Sequence, residues 1–104
     1  MVSKQAKASR IPAHVLFRQI DEDTVILDLS AGLYYGLTGA GSDIWQLLDA
    51  GSSLPEMCQA VVSKYDVSFE TARQDIEALL EQLVERQLIA ARPQGDSSDA
   101  GQGA

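Results

Sequence analysis

From residue 15 onward, the hydrophobic and polar positions fall into two regimes that meet at Thr38. The first regime is strand-like. Val15-Leu16-Phe17-Arg18-Gln19-Ile20 ends in the acidic turn cluster Asp21-Glu22-Asp23. Thr24-Val25-Ile26-Leu27-Asp28-Leu29 follows, rich in the β-branched residues that suit a pleated surface. Ser30-Ala31-Gly32 then reads as a hairpin loop whose last residue needs positive φ, and Leu33-Tyr34-Tyr35-Gly36-Leu37 reads as a third strand. The pattern predicts a three-stranded antiparallel meander with the second strand in the middle.

After Thr38 the period becomes helical. Ala40, Ile44, Leu47 and Leu48 share one face, Trp45 widens it, Thr38 is the expected N-cap, with Ser42 serving if the first turn frays, and Gly51 is the expected stop. Ser53-Leu54-Pro55-Glu56 has the form of a capping box and opens a second helix, with Leu54, Met57, Cys58, Val61, Val62 and Tyr65 as its stripe. A third helix runs from near Ser68 to about Gln87 on Phe69, Ala72, Ile76, Leu79, Leu80, Leu83 and Val84. Its adjacent pairs Leu79-Leu80 and Leu83-Val84 are wider than one packing contact requires, so part of that face is available to line a groove. Leu88-Ile89-Ala90 is expected to close the domain as a short extended stretch.

Residues 1–11 show no period and are expected to form a flexible basic arm. Residues 12–91 form the domain, and residues 92–104 are expected to be a disordered tail, polar and glycine-rich with nothing to bury.

Composition changes the picture in two ways. At 45% hydrophobic and 22% charged, the 104 residues fit one ordinary globular domain, and no apolar run approaches the ~20 residues of a membrane span. The single cysteine, Cys58, rules out an internal disulfide, and together these features predict a cytoplasmic protein. The net charge of −7 is also unevenly distributed, because Lys4, Lys7 and Arg10 offset a far more acidic body. Residues 11–91 hold four basic against thirteen acidic side chains, a balance that repels nucleic-acid phosphates and anionic membranes.

Catalytic chemistry finds little to use. His14 and Cys58 are the only histidine and cysteine, and they fall in different elements. A lone histidine makes no metal site, and Cys58 lies on a core stripe. Asp21-Glu22-Asp23 lacks the glycine and distal glutamate of a calcium loop, and Gly39 and Gly41 lack the surroundings of a phosphate loop. The expectation is a non-enzyme with no cofactor and no metal.

The third strand is harder to read as structure alone. A meander leaves its outer strands as edges, and natural edges are blunted by charge, proline or cover. Leu33 to Leu37 carry neither charge nor proline. Three readings stand open on this evidence: a helix or the chain's own end covers the edge, a second copy pairs with it as a homodimer, or a partner peptide adds to it as a strand.

Val25-Ile26-Leu27-Asp28-Leu29, Gly32-Leu33-Tyr34-Tyr35-Gly36-Leu37-Thr38, Gly41, Ile44-Trp45 and Gly51 together resemble the PqqD-like family. These are small peptide chaperones, also called RiPP recognition elements after ribosomally made, post-translationally modified peptides. The likeness continues through the second helix to Tyr65 and from Asp75-Ile76 to Leu88-Ile89, covering roughly residues 12–90. The aromatic-Gly-Leu segment leading into Ile44-Trp45 is its most specific part. Thr38 departs from the asparagine common in the family, though both residues can cap a helix.

The resemblance implies an α+β, winged-helix-like domain: three antiparallel strands followed by three helices. It implies that the leader segment of a precursor peptide binds as a fourth strand beside the third. On this sequence the backbone contacts fall on Leu33, Tyr34, Tyr35, Gly36 and Leu37, and the groove wall on exposed members of Asp75, Ile76, Leu79, Gln82 and Leu83. Of the two tyrosines, Tyr35 is expected to face the groove with Leu33 and Leu37, because strand side chains alternate. The chain resembles a stand-alone adaptor whose peptidase or radical or other modifying enzyme is a separate protein. Split lasso-peptide systems and pyrroloquinoline quinone biosynthesis are built this way. The alternatives are a winged-helix DNA-binding regulator, which the acidic third helix disfavours, and a plain protein-interaction module.

Overall fold

The computed structural model describes residues 11–90. The sheet contains β1 (Val15–Ile20), β2 (Asp23–Asp28) and β3 (Leu33–Leu37), and α1 (Gly39–Ala50), α2 (Leu54–Lys64) and α3 (Phe69–Glu85) follow it. The strands are antiparallel in the order β1-β2-β3, so the expected meander and the three helices are both present. No helix among the described residues is long and apolar enough to cross a membrane. The expected arm up to residue 10 and the tail 92–104 lie outside the described residues. Ile11, read from sequence as the end of the arm, packs against the core.

Each hairpin is set by its turn chemistry. Ile20 pairs with Asp23 across a two-residue turn in which Asp21 takes φ 57°, a region aspartate tolerates better than most residues. The second strand ends one residue earlier than the hydrophobic pattern suggests. The Asp28 carboxylate accepts bonds from the Ser30 and Ala31 amides at 2.9 and 3.1 Å, which starts the turn at Asp28 and leaves Leu29 exposed. Gly32, at φ 70°, closes that loop with its amide on the Asp28 carbonyl at 2.7 Å.

Thr38 is the N-cap residue of α1 by position, but its side chain makes no capping bond. Gly51 ends α1 in the left-handed conformation as expected, and its amide reaches back to the Leu47 and Leu48 carbonyls. The Ser53–Glu56 capping box is complete, with the Ser53 amide donating to Glu56 Oε1 at 2.8 Å and the Glu56 amide to Ser53 Oγ at 3.3 Å. The third helix stops at Glu85, two residues short of the expected end. Gln87 takes φ 61° and turns the chain, and the Leu88 amide bonds the Leu83 carbonyl at 2.9 Å. Leu88 and Ile89 then drop into the core through bends; the expected extended stretch is absent there.

The core lies between the inner face of the sheet and the helices. Ile26, Trp45, Leu48, Met57 and Leu80 are fully buried in it. Phe17 meets the Trp45 ring edge-on, with centroids 5.5 Å apart, while the buried Trp45 Nε1 has no hydrogen-bond partner among the described residues. Buried Thr24 and Ser42 share a 2.6 Å bond that ties β2 to α1. On the outer face of the sheet, Leu16, Ile20, Val25 and Tyr34 remain exposed around Arg18.

Candidate functional site

Among the described residues β3 is bonded on one side only, to β2. In an antiparallel ladder, alternate residues turn their amide and carbonyl toward the same neighbour. One set along β3 therefore pairs with β2 and the other points outward, along a five-residue edge with no charge or proline.

Next to that edge lies a cleft of about 200 Å³, lined by Ile26, Tyr35, Gly36, Leu37, Leu79, Gln82, Leu83, Arg86 and Leu88. Its geometry follows from strand period and helix period together. Tyr35 is cross-strand from the buried Ile26 and Leu37 from the buried Thr24, so both turn to the inner side, where α3 passes. Tyr34, 73% exposed, faces the opposite way. α3 runs against the direction of β3. Its Leu79 approaches the Leu37 end: a Cβ at Gly41 would contact the side chains of both. At its other end, the Arg86 guanidinium carbon lies over the Tyr35 ring, 5.5 Å from the centroid. A second apolar cavity of about 220 Å³ continues beyond the Leu37 end, lined by residues that include Gly41, Ile44, Tyr65, Asp75, Ile76 and Leu79.

The expected site residues therefore divide. Tyr35, Gly36, Leu37, Leu79, Gln82 and Leu83 meet in the cleft, whereas Asp75 and Ile76 line the neighbouring cavity. Leu33 is half exposed at the start of the strand, outside the cleft lining. Ile76 and Leu83, each 3% exposed, are core residues that show only a margin to either hollow; Leu79 is the half-buried wall. Sequence reasoning missed Arg86, Ile26 and Leu88. Arg86 carried only the general signal of a cation in a last helical turn, and Leu88 reaches the cleft only because Gln87 turns the chain.

The histidine, the cysteine and the Asp43 cluster are placed elsewhere. Cys58 is 1% exposed, and burial pushes its thiol up, partly opposed by Arg73 and assisted by Glu77. His14 Nε2 lies 2.9 Å from the Gln87 carbonyl, fixing the start of β1 to the turn after α3. Asp43 joins α1 to the end of α2: it accepts from Tyr65 Oη at 2.7 Å and pairs with Lys64 Nζ at 3.1 Å. The bond to Asp43 raises the pKa of both partners, with the carboxylate charge reinforcing Lys64 and desolvation assisting for Tyr65. A larger hollow of about 530 Å³ lies on β1 and β2, lined by residues including Leu16, Arg18, Ile20, Val25 and Leu27, and does not touch β3.

Residues 23–89 match the family described as coenzyme PQQ synthesis protein D (PqqD). The chain belongs to the PqqD family. The matched span contains β2, β3, all three helices and the cleft between them. Two solved structures share the fold at sequence identities high enough to carry more than fold. TbiB1, solved in complex with the TbiA(beta) leader peptide, is 34% identical over 77% of this chain and 93% of that one, with a TM-score of 0.74. A lasso peptide synthetase B1, complexed with the leader peptide, is 32% identical over 74% of this chain and 91% of that one, with a TM-score of 0.69. Among curated proteins no sequence matches.

Proposed function

We propose that this PqqD-family chain is a non-catalytic adaptor. It takes up the leader segment of a ribosomally made precursor peptide as a fourth strand on β3 and presents it to a separate processing or modifying enzyme. The observation that carries this reading is the open, uncharged β3 edge standing over a cleft walled by α3. Support comes from the two relatives, both solved with leader peptides and both covered by this chain over more than nine-tenths of their length. Strand addition suits the site because backbone bonds supply affinity while alternate side chains of the guest enter the cleft. Leu33 to Leu37 are the pairing residues in this proposal, and Leu79 and Gln82 are the wall that a guest side chain meets. The setting is peptide natural-product biosynthesis of the lasso or pyrroloquinoline quinone type, in the cytoplasm, with no metal or cofactor required at the site.

Hydrogen–deuterium exchange with a synthetic leader, taken from a precursor encoded beside this protein, tests the mechanism. Added protection should centre on Leu33 to Leu37. At single-residue resolution it should fall on alternate amides, since the others are already bonded to β2. Protection confined to α2 would rule strand addition out.

A further inference from the structure

The two ends of the cleft differ in chemistry. At the Leu37 end its wall is Leu79, and the apolar cavity by Gly41 and Ile44 continues it. At the Tyr35 end stands Arg86, the C-cap residue of α3 and the one cation among the described residues of the cleft lining. The described residues contain four basic side chains. Lys64 is paired with Asp43, Arg73 is paired with Glu77 at 3.3 Å, and Arg18 lies on the outer face of the sheet. Arg86 has no ion-pair partner among the described residues, and it is held over Tyr35. Among the thirteen acidic and four basic side chains of residues 11–91, Arg86 is thus the cation placed at the cleft without an ion pair among the described residues.

We propose that Arg86 is a specificity residue that reads an acidic side chain, Asp or Glu, of the bound leader. The inference rests on the reading of the cleft as a leader site and says which leaders the site prefers. A guanidinium over an aromatic ring keeps its planar fork of N–H donors free at the edge, and that fork matches a carboxylate with two parallel bonds. Pre-orientation by Tyr35 reduces the side-chain ordering that an exposed ion pair otherwise requires.

Geometry also fixes where the acid sits. Groove-facing residues of an added strand are those opposite Leu37, Tyr35 and Leu33, because side chains alternate along a strand. For a guest that continues the antiparallel sheet, the residue opposite Leu37 comes first and meets the apolar end. The acidic residue then follows it by two positions opposite Tyr35, or by four opposite Leu33. The competing explanation is that Arg86 merely complements the negative end of the α3 dipole. That role would affect stability and leave peptide choice untouched.

A displayed library of random twelve-residue peptides, selected in parallel on the full-length protein and on its Arg86→Gln and Arg86→Glu variants, separates the two. The wild type should enrich peptides carrying Asp or Glu two or four residues after an apolar anchor. Arg86→Gln should keep the anchor and lose the acidic preference. Arg86→Glu should replace it with Lys or Arg, a gain that a misfolded protein cannot produce. In a selected peptide made synthetically, changing the acid to its amide should weaken binding to the wild type about fivefold, an exposed-to-partly-buried ion pair, and to Arg86→Gln hardly at all. Anchored peptides with no acidic preference, or with the same preference on Arg86→Gln, overturn the role of Arg86 while leaving the leader site standing. No enrichment on any of the three proteins overturns both.

Discussion

Leu79 and Leu83 lie one turn apart on α3 and both reach the cleft, yet a change at each should do different things. Leu83 is 3% exposed and belongs to the core, so Leu83→Ala should leave a cavity and destabilise the fold by about 2–5 kcal/mol. Leu79 is half-buried, with free surface turned to the cleft and its neighbouring cavity. Leu79→Ala should therefore act mainly on the guest. An anchor contact of about 2 kcal/mol corresponds to roughly thirtyfold in affinity. Chemical denaturation and titration calorimetry on both variants, with Glu81→Ala as an exposed comparison, read the two effects separately. Equal small losses from Leu79→Ala and Glu81→Ala would show that α3 is not the wall that selects. Gly36 gives a further residue-scale contrast, since a Cβ there meets nothing within 4 Å. Gly36→Ala should raise the free protein's melting temperature by a few degrees, because alanine loses less backbone freedom on folding and its Cβ meets no obstacle.

At the scale of elements, local chemistry made most of the fold legible. The Ser53–Glu56 box, Gly51 after α1 and Gly32 before β3 each announce a boundary with its own mechanism, and the structure places a boundary at all three. The misjudged boundaries lack such a signal. Gln87 adopts a conformation that glycine usually marks, so the end of α3 and the descent of Leu88 into the core were hidden. Asp28 looks like an ordinary polar strand residue, and only its bonds to the Ser30 and Ala31 amides reveal that it starts the turn. The cleft was legible in outline because strand alternation puts Tyr35 and Leu37 on one side. Which α3 side chains stay accessible was not, since that depends on how deeply the helix sits against the sheet.

The junction of α1 with α2 yields an alkaline prediction at the same scale. Lys64 and Tyr65 both have folded-state pKa values raised by Asp43, and burial raises that of Cys58. A group raised on folding adds stability that is complete below its unfolded pKa and is lost as pH rises through the folded one. For Lys64 and Tyr65, whose ordinary values are 10.5 and 10.0, that window lies above pH 10. Thermal melts of the wild type and Asp43→Ala should differ at pH 7 and converge as pH passes through that range. A difference that stays constant with pH would mean that the Asp43 cluster contributes through packing alone.

For the molecule as a whole, charge argues against contact with nucleic acid. α3 carries Glu70, Asp75, Glu77, Glu81 and Glu85 against Arg73, itself paired with Glu77, so it offers phosphates almost no counter-charge. The same acidity keeps copies of the protein apart at long range, which matters because of the β3 edge. An unpaired edge that welcomes a guest strand also welcomes the β3 of another copy. On the proposed function, leader binding and self-pairing would draw on the same amides and so compete. Self-pairing would hold part of the adaptor in dimers, so the free edge would rise only as about the square root of total adaptor once dimers dominate, and output should climb less than in proportion to dose. Analytical ultracentrifugation across a concentration series, with and without leader, should show association that the leader dissolves.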